Sequence, residues 1–434
     1  MTQAIILAGG KGTRLAAFLN GKPKCLIDIE GVPLLQRQIE LLKSYGIDNV
    51  IILVNHAATQ VESFLAEKNN FGIDISLVDD GAPRGTSGAV LAAFDVLKDR
   101  FIVVYGDTLL NVDLKRFVAA HEQCKSDITL FLHPNDHPAD SDLVSIDDEG
   151  WIEAFHPYPH EKERNYANLV NAALYVIEKR SLDKWRGFPS PSDFGKDLFP
   201  AMLTAGHRLR GYRSFEYVKD VGTPNRLSKA AKQLRTGMVE RASLAHKQKA
   251  VFLDRDGTMN FHRGFMRNAR EFELLPGVPE AIRRLNDSEY RVVLVTNQPV
   301  IARGEATFEE LKDIHSKMET LLGEAGAFLD AIYFCPHHPD SGFAGEVTEL
   351  KIDCDCRKPK TGMIDRAVVE LNIDLGSSWL LGDTTGDIET ARRAGLRSIL
   401  VRTGEAGNDG KFAAKANYAA ENLVAAVNLI LASG

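Results

Sequence analysis

The sequence has no apolar run long enough to span a membrane. Its opening residues, Met1-Thr2-Gln3-Ala4-Ile5-Ile6-Leu7, lead straight into a glycine loop, too short an apolar stretch for a secretory signal core. No low-complexity tract and no repeat between the halves breaks up its 434 residues. Positive charge is not in excess: 52 Lys and Arg against 59 Asp and Glu give a formal net charge of −7, which argues against nucleic acid as a bulk electrostatic partner. Cysteine is scarce and odd in number. There are five, three of them between Cys335 and Cys356 beside two histidines. That clustering reads as a metal site in a reducing cytoplasm, not a disulfide framework. Two glycine fingerprints are also missing, the Gly-Lys-Ser/Thr of a Walker loop and G-x-G-x-x-G. These absences leave a cytoplasmic protein with neither membrane nor nucleic acid as partner.

What is present is alternation. Strand-like runs at residues 5–7, 50–54, 73–78 and 101–105 alternate with helical spacing such as 34–45, and weaker strands follow near 128–132, 143–146 and 174–177. This predicts a parallel sheet covered by helices. Residues 229–235 and 239–249 are polar and basic, with helical character and no strong strand. Alternation then restarts, with strands at 250–253, 291–295, 331–334, 379–381 and 398–401 and helices at 277–286 and 308–322. The fold class is therefore α/β with two doubly wound domains, over 1–235 and 249–434, joined by a linker at 236–248.

Ligands of such sheets bind where strands end. The first strand ends in Ala8-Gly9-Gly10-Lys11-Gly12-Thr13-Arg14-Leu15. Gly9, Gly10 and Gly12 let backbone amides approach an anion, Arg14 offers a guanidinium fork, and Lys24 follows in Lys22-Pro23-Lys24. A tight turn would explain the glycines alone. Gly85-Thr86-Ser87-Gly88, opening a helix, adds a base- or sugar-binding turn, and Asp107 and Asp220 add two strand-end carboxylates suited to magnesium. Together these residues resemble the sugar nucleotidyltransferase family over about residues 1–230: Gly9-Gly10-x-Gly12-Thr13-Arg14-Leu15, Pro23-Lys24, Gly85-Thr86-x-Gly88, Gly106-Asp107, Asn171-Ala172 and Asp220-Val221-Gly222-Thr223-Pro224 stand in the family's order. The resemblance implies a Rossmann-like nucleotide-diphospho-sugar transferase fold. It also implies attack by a sugar 1-phosphate on the α-phosphorus of a nucleoside triphosphate. Arg14 would hold the pyrophosphate, Lys24 the α-phosphate, and Asp107 and Asp220 magnesium, while Gly9, Gly10, Gly12, Thr13, Gly85, Thr86, Gly88 and Asn171 would line the site. Many members carry Phe-x-Glu-Lys-Pro before the Asn171 strand. Here Phe155-His156-Pro157 stands instead, and Lys162 is the nearest substitute.

A second set begins at Asp254 and Asp256, directly after the 250–253 strand. Two acids at i and i+2, followed by Gly257-Thr258, suit a phosphatase nucleophile and its acid/base partner; an acidic turn or calcium loop is the bland alternative. Thr296-Asn297-Gln298, Lys358 and Asp383 end later segments in the matching order, with Asp387 orienting the last loop. These elements resemble the haloacid dehalogenase phosphatase superfamily. Thr296-Asn297-Gln298-Pro299 and Ile301-Ala302-Arg303-Gly304 narrow the resemblance to the histidinol-phosphatase and heptose-bisphosphate-phosphatase branch, over about residues 249–430. It implies an aspartyl-phosphate at Asp254, acid/base work by Asp256, charge neutralisation by Lys358 and magnesium on Asp254, Asp256 and Asp383. Thr296, Asn297 and Gln298 would contact the phosphoryl group. The branch often has lysine where Thr384 stands, so Arg303, Arg357 or Lys360 becomes the candidate for a distal phosphate. Cys335, His337, Cys354 and Cys356 form a closed set for structural zinc in a loop, with His338 outside it. Cys25 and Cys124 are free thiols.

The two resemblances are consecutive steps on one metabolite. A heptose 1,7-bisphosphate loses its C7 phosphate, and the 1-phosphate is then nucleotidylated, with GTP, for cell-envelope polysaccharide. Open beside this stand another sugar, or CTP, UTP or dTTP; histidinol phosphate, disfavoured because no dehydratase-like domain follows; and a sugar-nucleotide sensor, disfavoured because all the reactive residues are present.

Overall fold

The computed structural model describes residues 3–433 apart from Lys11, Asn20, His56, Ala57, Asp80, Lys162 and Phe343. The chain forms two compact units. The first comprises residues up to His133, Ser141–Tyr158 and Leu169–Ser243; the second comprises Pro134–Asp140, Pro159–Asn168 and Leu244–Gly434.

In the first unit the strand Gln3–Leu7 lies between Asn49–Val54 and Arg100–Tyr105, parallel to both, and Asp74–Asp79 extends the parallel part. Ala4, Ile5, Ile6, Val50 and Ile52 are completely buried, as both-faced covering by helices requires. The sheet is not wholly parallel. Val170–Glu178 runs antiparallel to Arg100–Tyr105 and to Ile128–His133, and Leu143–Ile146 and Ile152–His156 extend that edge. The three weaker strands of the sequence reading therefore make a mixed half. A separate ribbon pairs Thr108–Asn111 with Tyr217–Asp220 and sets Asp220 opposite Thr108.

Helical structure after residue 224 is shorter than its composition suggests. It covers Pro224–Arg235 and Met238–Arg241, interrupted at Gly237 with φ +71°. Residues from Leu244 onward belong to the second unit, within which Gln248 N–H donates to Asn372 O at 3.0 Å and Gln248 O accepts from Asp374 N–H at 2.8 Å. Bonds to a distant loop have replaced the local helix there.

The second unit holds a fully parallel sheet in the order Ala331–Cys335, Tyr290–Asn297, Lys249–Leu253, Trp379–Gly382, Arg397–Val401, Tyr418–Ala420. Strand order reverses at Lys249–Leu253, so the crevice of this doubly wound sheet opens at the end of that strand, at Asp254.

Asp330 should give this unit a pH-dependent stability. It is buried; its Oδ2 accepts from Val292 N–H at 2.6 Å, and its Oδ1 has no partner among the described residues. Burial pushes its carboxyl up to about 6, against the pull of Arg291 and the Val292 N–H. A raised folded-state value means stability that is complete below the ordinary carboxyl range and lost as pH rises through 6. The full swing is at most about 3 kcal/mol. Asp330→Asn removes this slope. Urea unfolding of the second unit between pH 4 and 7 should show the variant gaining on the natural protein as pH rises; parallel curves would refute the assignment.

Candidate active sites

The loop after Gln3–Leu7 turns at Gly12, which sits at φ +63° and opens the short helix Thr13–Leu15. Gly9 lies against Asn55, and Gly10 faces open space. Arg14, Lys24 and Asp220 converge on Gly222: a methyl built there would lie 2.9 Å from Asp220 Oδ1, 3.3 Å from Lys24 Nζ and 3.8 Å from Arg14 Nη2. Lys24 is paired with Asp107, and Val221 N–H donates to Asp107 O at 2.9 Å. Four residues distant in sequence thus share one end of the sheet. Asp220 also receives both its oxygens' bonds from Arg226 Nη1, at 3.0 and 2.9 Å, a partner that the sequence reading missed.

Gly85, Thr86 and Gly88 do open a helix, Gly85–Ala92, but the glycines answer to protein packing. A side chain at Gly85, which has φ +72°, would run into the main chain of Ser192; one at Gly88 would meet Ser190 Oγ at 2.9 Å. Thr86 Oγ1 donates to Asp193 Oδ2 at 2.7 Å and accepts from Phe194 N–H at 3.0 Å. Asp193 Oδ1 accepts from the N–H groups of Gly195 and Lys196, at 2.9 and 3.2 Å. The turn at 193–196 is thereby fixed to the start of this helix, and a methyl built at Gly195 would lie 3.0 Å from Asn171 Nδ2. Lys196 is half exposed, with Nζ 3.9 Å from Asp142 Oδ1, and Asp142 O accepts from Asn171 N–H at 3.0 Å. Lys162 lies outside the described residues; no sequence pattern marked Lys196.

In the second unit Lys358 Nζ donates to Asp254 Oδ1 and to Asp387 Oδ1, both at 2.6 Å and all buried. Asp387 Oδ2 accepts from the N–H and hydroxyl of Thr384, at 3.1 and 2.5 Å, so it orients the lysine and caps its helix. Asp254, Asp383 and Asp387 offer oxygens within 4.8 Å of one another. Gly257 and Gly404, at φ +83° and +61°, each come so close to Asp383 that a side chain would collide with its carboxylate. Glu405 N–H donates to Asp383 Oδ2 at 2.7 Å, while Asp383 Oδ1 is buried without a partner among the described residues. Burial pushes Asp254 up to about 8, against Lys358 and with the neighbouring Asp387, Asp383 and Asp256; burial and Asp387 likewise push Asp383 up to about 7. Three acids around one ammonium leave excess negative charge. With the orphaned oxygen, that set fits a hard divalent cation.

The Asp256 side chain is not among the three carboxylates that gather there. Its carboxylate is drawn off by Arg255, whose Nη2 donates to both oxygens at 3.1 and 2.9 Å, by Gln298 Nε2 at 2.9 Å and by Asn260 Nδ2 at 3.1 Å. Burial works against its ionised form, but Arg255 and these bonds outweigh it and hold the carboxyl below its ordinary range. Thr296 Oγ1 accepts from Gln298 Nε2 at 2.8 Å. Asn297 is spent on the main chain of Lys358, donating to its O at 3.1 Å and accepting from its N–H at 3.0 Å. Arg303 lies over the Phe265 ring at 4.4 Å with Nε on Glu305. Arg357 Nη1 donates to His337 O at 3.2 Å, and Lys360 turns to Asp353 at 2.7 Å.

Cys335, His337, Cys354 and Cys356 meet as one group. Their closest approaches run from 3.2 Å (Cys335 to Cys356) to 3.7 Å (Cys335 to His337 Nδ1). A tetrahedron of sulfurs about 2.3 Å from zinc has edges near 3.8 Å, so a small outward movement seats such an ion. His338 stays outside, its Nδ1 accepting from Asp340 N–H at 3.1 Å.

Two phosphate-handling sites on separate α/β sheets define a bifunctional phosphotransfer class. The nucleotidyl transferase family model matches residues 3–237, and the HAD-hydrolase-like model matches residues 355–426. The D-glycero-beta-D-manno-heptose-1,7-bisphosphate 7-phosphatase of Yersinia pestis is 44% identical over 157 residues, 36% of this chain and 81% of that protein. That of Pasteurella multocida is 40% identical over 185 residues, 42% of this chain and 97% of that protein. The crystal structure of HddC from Yersinia pseudotuberculosis is 25% identical, covers 54% of this chain and all of that chain, and has a TM-score of 0.47. The chain belongs to the nucleotidyl transferase family and to the family of these HAD-like phosphatases. No helix among the described residues is long and apolar enough to cross a membrane.

Proposed function

We propose that the chain makes a nucleotide-activated heptose in two steps. The second unit removes the C7 phosphate of D-glycero-D-manno-heptose 1,7-bisphosphate. The first transfers GMP from GTP to the resulting heptose 1-phosphate and releases pyrophosphate. The observation that carries this reading is the presence, in one chain, of the Asp254–Lys358–Asp383 constellation of a phosphatase family and the Arg14–Lys24–Asp107–Asp220 cluster of a nucleotidyl transferase family. The product suits cell-envelope polysaccharide such as lipopolysaccharide, and the free cysteines suit the cytoplasm.

In the phosphatase step Asp254 attacks phosphorus, the P–O7 bond breaks, and Asp256 protonates the sugar oxygen. Water then attacks the aspartyl-phosphate, with Asp256 taking its proton. Arg255 favours the ionised form of Asp256 at rest, so the acid role needs the incoming phosphate's negative charge, which raises the pKa of a neighbouring carboxyl. Asp254 and Asp383 would hold magnesium, which supplies neutralisation of phosphoryl charge. Lys358 keeps the nucleophile aimed. In the nucleotidyl transfer, Arg14 and Lys24 hold phosphates. Asp107 and Asp220 provide two hard ligands, short of a full set, so substrate oxygens would complete a magnesium site there. Lys196 takes the place of the absent family lysine and holds the sugar phosphate. Lys196→Met should raise KM for the sugar 1-phosphate about 10- to 100-fold, the loss of one charge-assisted contact, with KM for GTP unchanged; equal shifts in both would remove it from that role.

Zinc at Cys335, His337, Cys354 and Cys356 orders the loop. Metal analysis should find one zinc per chain, and Cys356→Ser should lose it together with phosphatase activity. A full-activity, zinc-free protein would refute the structural role.

The reading as a whole is tested by incubating the protein with heptose 1,7-bisphosphate and each nucleoside triphosphate and weighing the products. GDP-heptose is expected; a CDP- or UDP-sugar alone would overturn the base, and no phosphate release would overturn the substrate.

A further inference from the structure

A buried histidine that the two reactions leave unused stands behind the phosphatase loop. His315 lies within the helix Phe308–Glu324, and its Nε2 is 3.3 Å from Arg255 Nη1. Arginine only donates, so this nitrogen is the acceptor and the ring is neutral with its proton on Nδ1. Arg255 has no exposed surface, and its other donors are committed: Nε to Asp256 Oδ1 at 3.2 Å, and Nη2 to both Asp256 oxygens and to Gln298 Oε1 at 2.9 Å. Gln298 closes the frame by donating to Asp256 Oδ2 and Thr296 Oγ1. The Phe334 ring packs against His315, with centroids 5.8 Å apart. The ring acceptor facing this buried guanidinium satisfies an N–H of Nη1, the nitrogen that neither Asp256 nor Gln298 reaches.

We infer that His315 is a positioning residue of the phosphatase: through Arg255 it fixes the direction in which the Asp256 carboxylate points. This rests on the phosphatase reading above. Without the acceptor, Arg255 Nη1 is buried and unpaired, and the guanidinium must rotate to find a partner. Rotation drags the Asp256 carboxylate with it, and a proton-transfer group displaced by a fraction of an ångström loses much of its rate contribution. Burial and the adjacent Arg255 hold the His315 imidazole down to about 3, so it remains an acceptor at any working pH.

The experiment compares full-length His315→Leu, which removes the acceptor at similar volume, with His315→Gln, which keeps one. Each is assayed on the heptose bisphosphate and, by the burst of p-nitrophenolate that accompanies phosphoenzyme formation, on p-nitrophenyl phosphate, whose leaving group needs no proton. Zinc content and the urea-unfolding midpoint of the second unit, which holds His315, report intact folding. In the leucine variant kcat on the bisphosphate should fall about 10- to 100-fold with KM within about twofold, the pattern of a misdirected acid/base group. Phosphoenzyme formation from p-nitrophenyl phosphate should fall much less, and the glutamine variant should recover to within about threefold of the natural protein. Equal loss on both substrates, a leucine kcat within twofold of the natural protein, or a glutamine variant as slow as the leucine one would each overturn the inference. Should the leucine variant not fold, the glutamine variant still decides through its ratio of rates on the two substrates. A natural protein that cleaves p-nitrophenyl phosphate but no heptose bisphosphate removes the substrate reading and leaves the His315 comparison standing.

Discussion

Asp254→Asn should abolish phosphate release from the bisphosphate, by at least about 10⁴-fold, the loss expected when the nucleophile of a covalent mechanism is removed. Transfer of a nucleotidyl group to a supplied sugar 1-phosphate should continue at the natural rate. Asp254 follows Lys249–Leu253 at the strand-order reversal, and its Oδ1 already holds the Lys358 ammonium at 2.6 Å. An amide retains the shape but is no nucleophile toward phosphorus. Phosphate appearance and nucleotide-sugar formation, followed in one sample, check both halves. Residual phosphatase activity within tenfold of the natural protein would move the nucleophile elsewhere.

Lys358→Met should be the most destabilising single substitution in the second unit. Lys358 is the one cation among the groups paired with Asp254 and Asp387, whose oxygens also lie within 4.8 Å of an oxygen of Asp383. Burial disfavours the ammonium, yet the two acids outweigh it and raise its pKa. Removing it leaves buried carboxylates facing one another, at a cost of about 3–5 kcal/mol, a large part of a typical domain's 5–15 kcal/mol. The sign with pH follows from the carboxylates. Without Lys358 the carboxyls of Asp254 and Asp383, already raised by burial to about 8 and about 7, rise further, so the variant's deficit grows as pH climbs through those values and shrinks in acid. Millimolar magnesium should restore part of the stability, because a divalent cation answers the same excess charge. Urea unfolding at pH 5 and pH 8, with and without magnesium, measures all three. A deficit independent of pH would mean that packing of the lysine stem, not its charge, is what matters.

Much of this was readable from the chain. The strand–loop alternation located both crevices because a buried parallel strand is written as a run of apolar residues, and its reactive residues follow directly: Asp254 after Leu253, Asp383 after Gly382, and Asp107 two residues past Tyr105. The Cys/His set was equally legible, since Cys335-x-His337 and Cys354-x-Cys356 carry their spacing in sequence. The direction of the weaker strands was not. Val170–Glu178 is apolar enough for either direction, and only pairing with Arg100–Tyr105 makes it antiparallel. Nor could the sequence show that Pro134–Asp140 and Pro159–Asn168 cluster with the second unit. Those short polar segments carry no periodicity of their own.

The sequence by itself determined which chemical groups stand at the ends of which strands, because local apolar patterning and glycine placement decide where a strand stops. Tertiary structure alone decided how those groups face each other. Lys358 meets Asp254 across 104 positions of sequence, the Asp256 carboxylate pairs with Arg255, Asn297 serves the Lys358 main chain, and Gly85 is glycine because Ser192 presses on it. Side-chain direction is fixed by the packing and hydrogen bonds of residues far apart in the chain, and no local pattern encodes it.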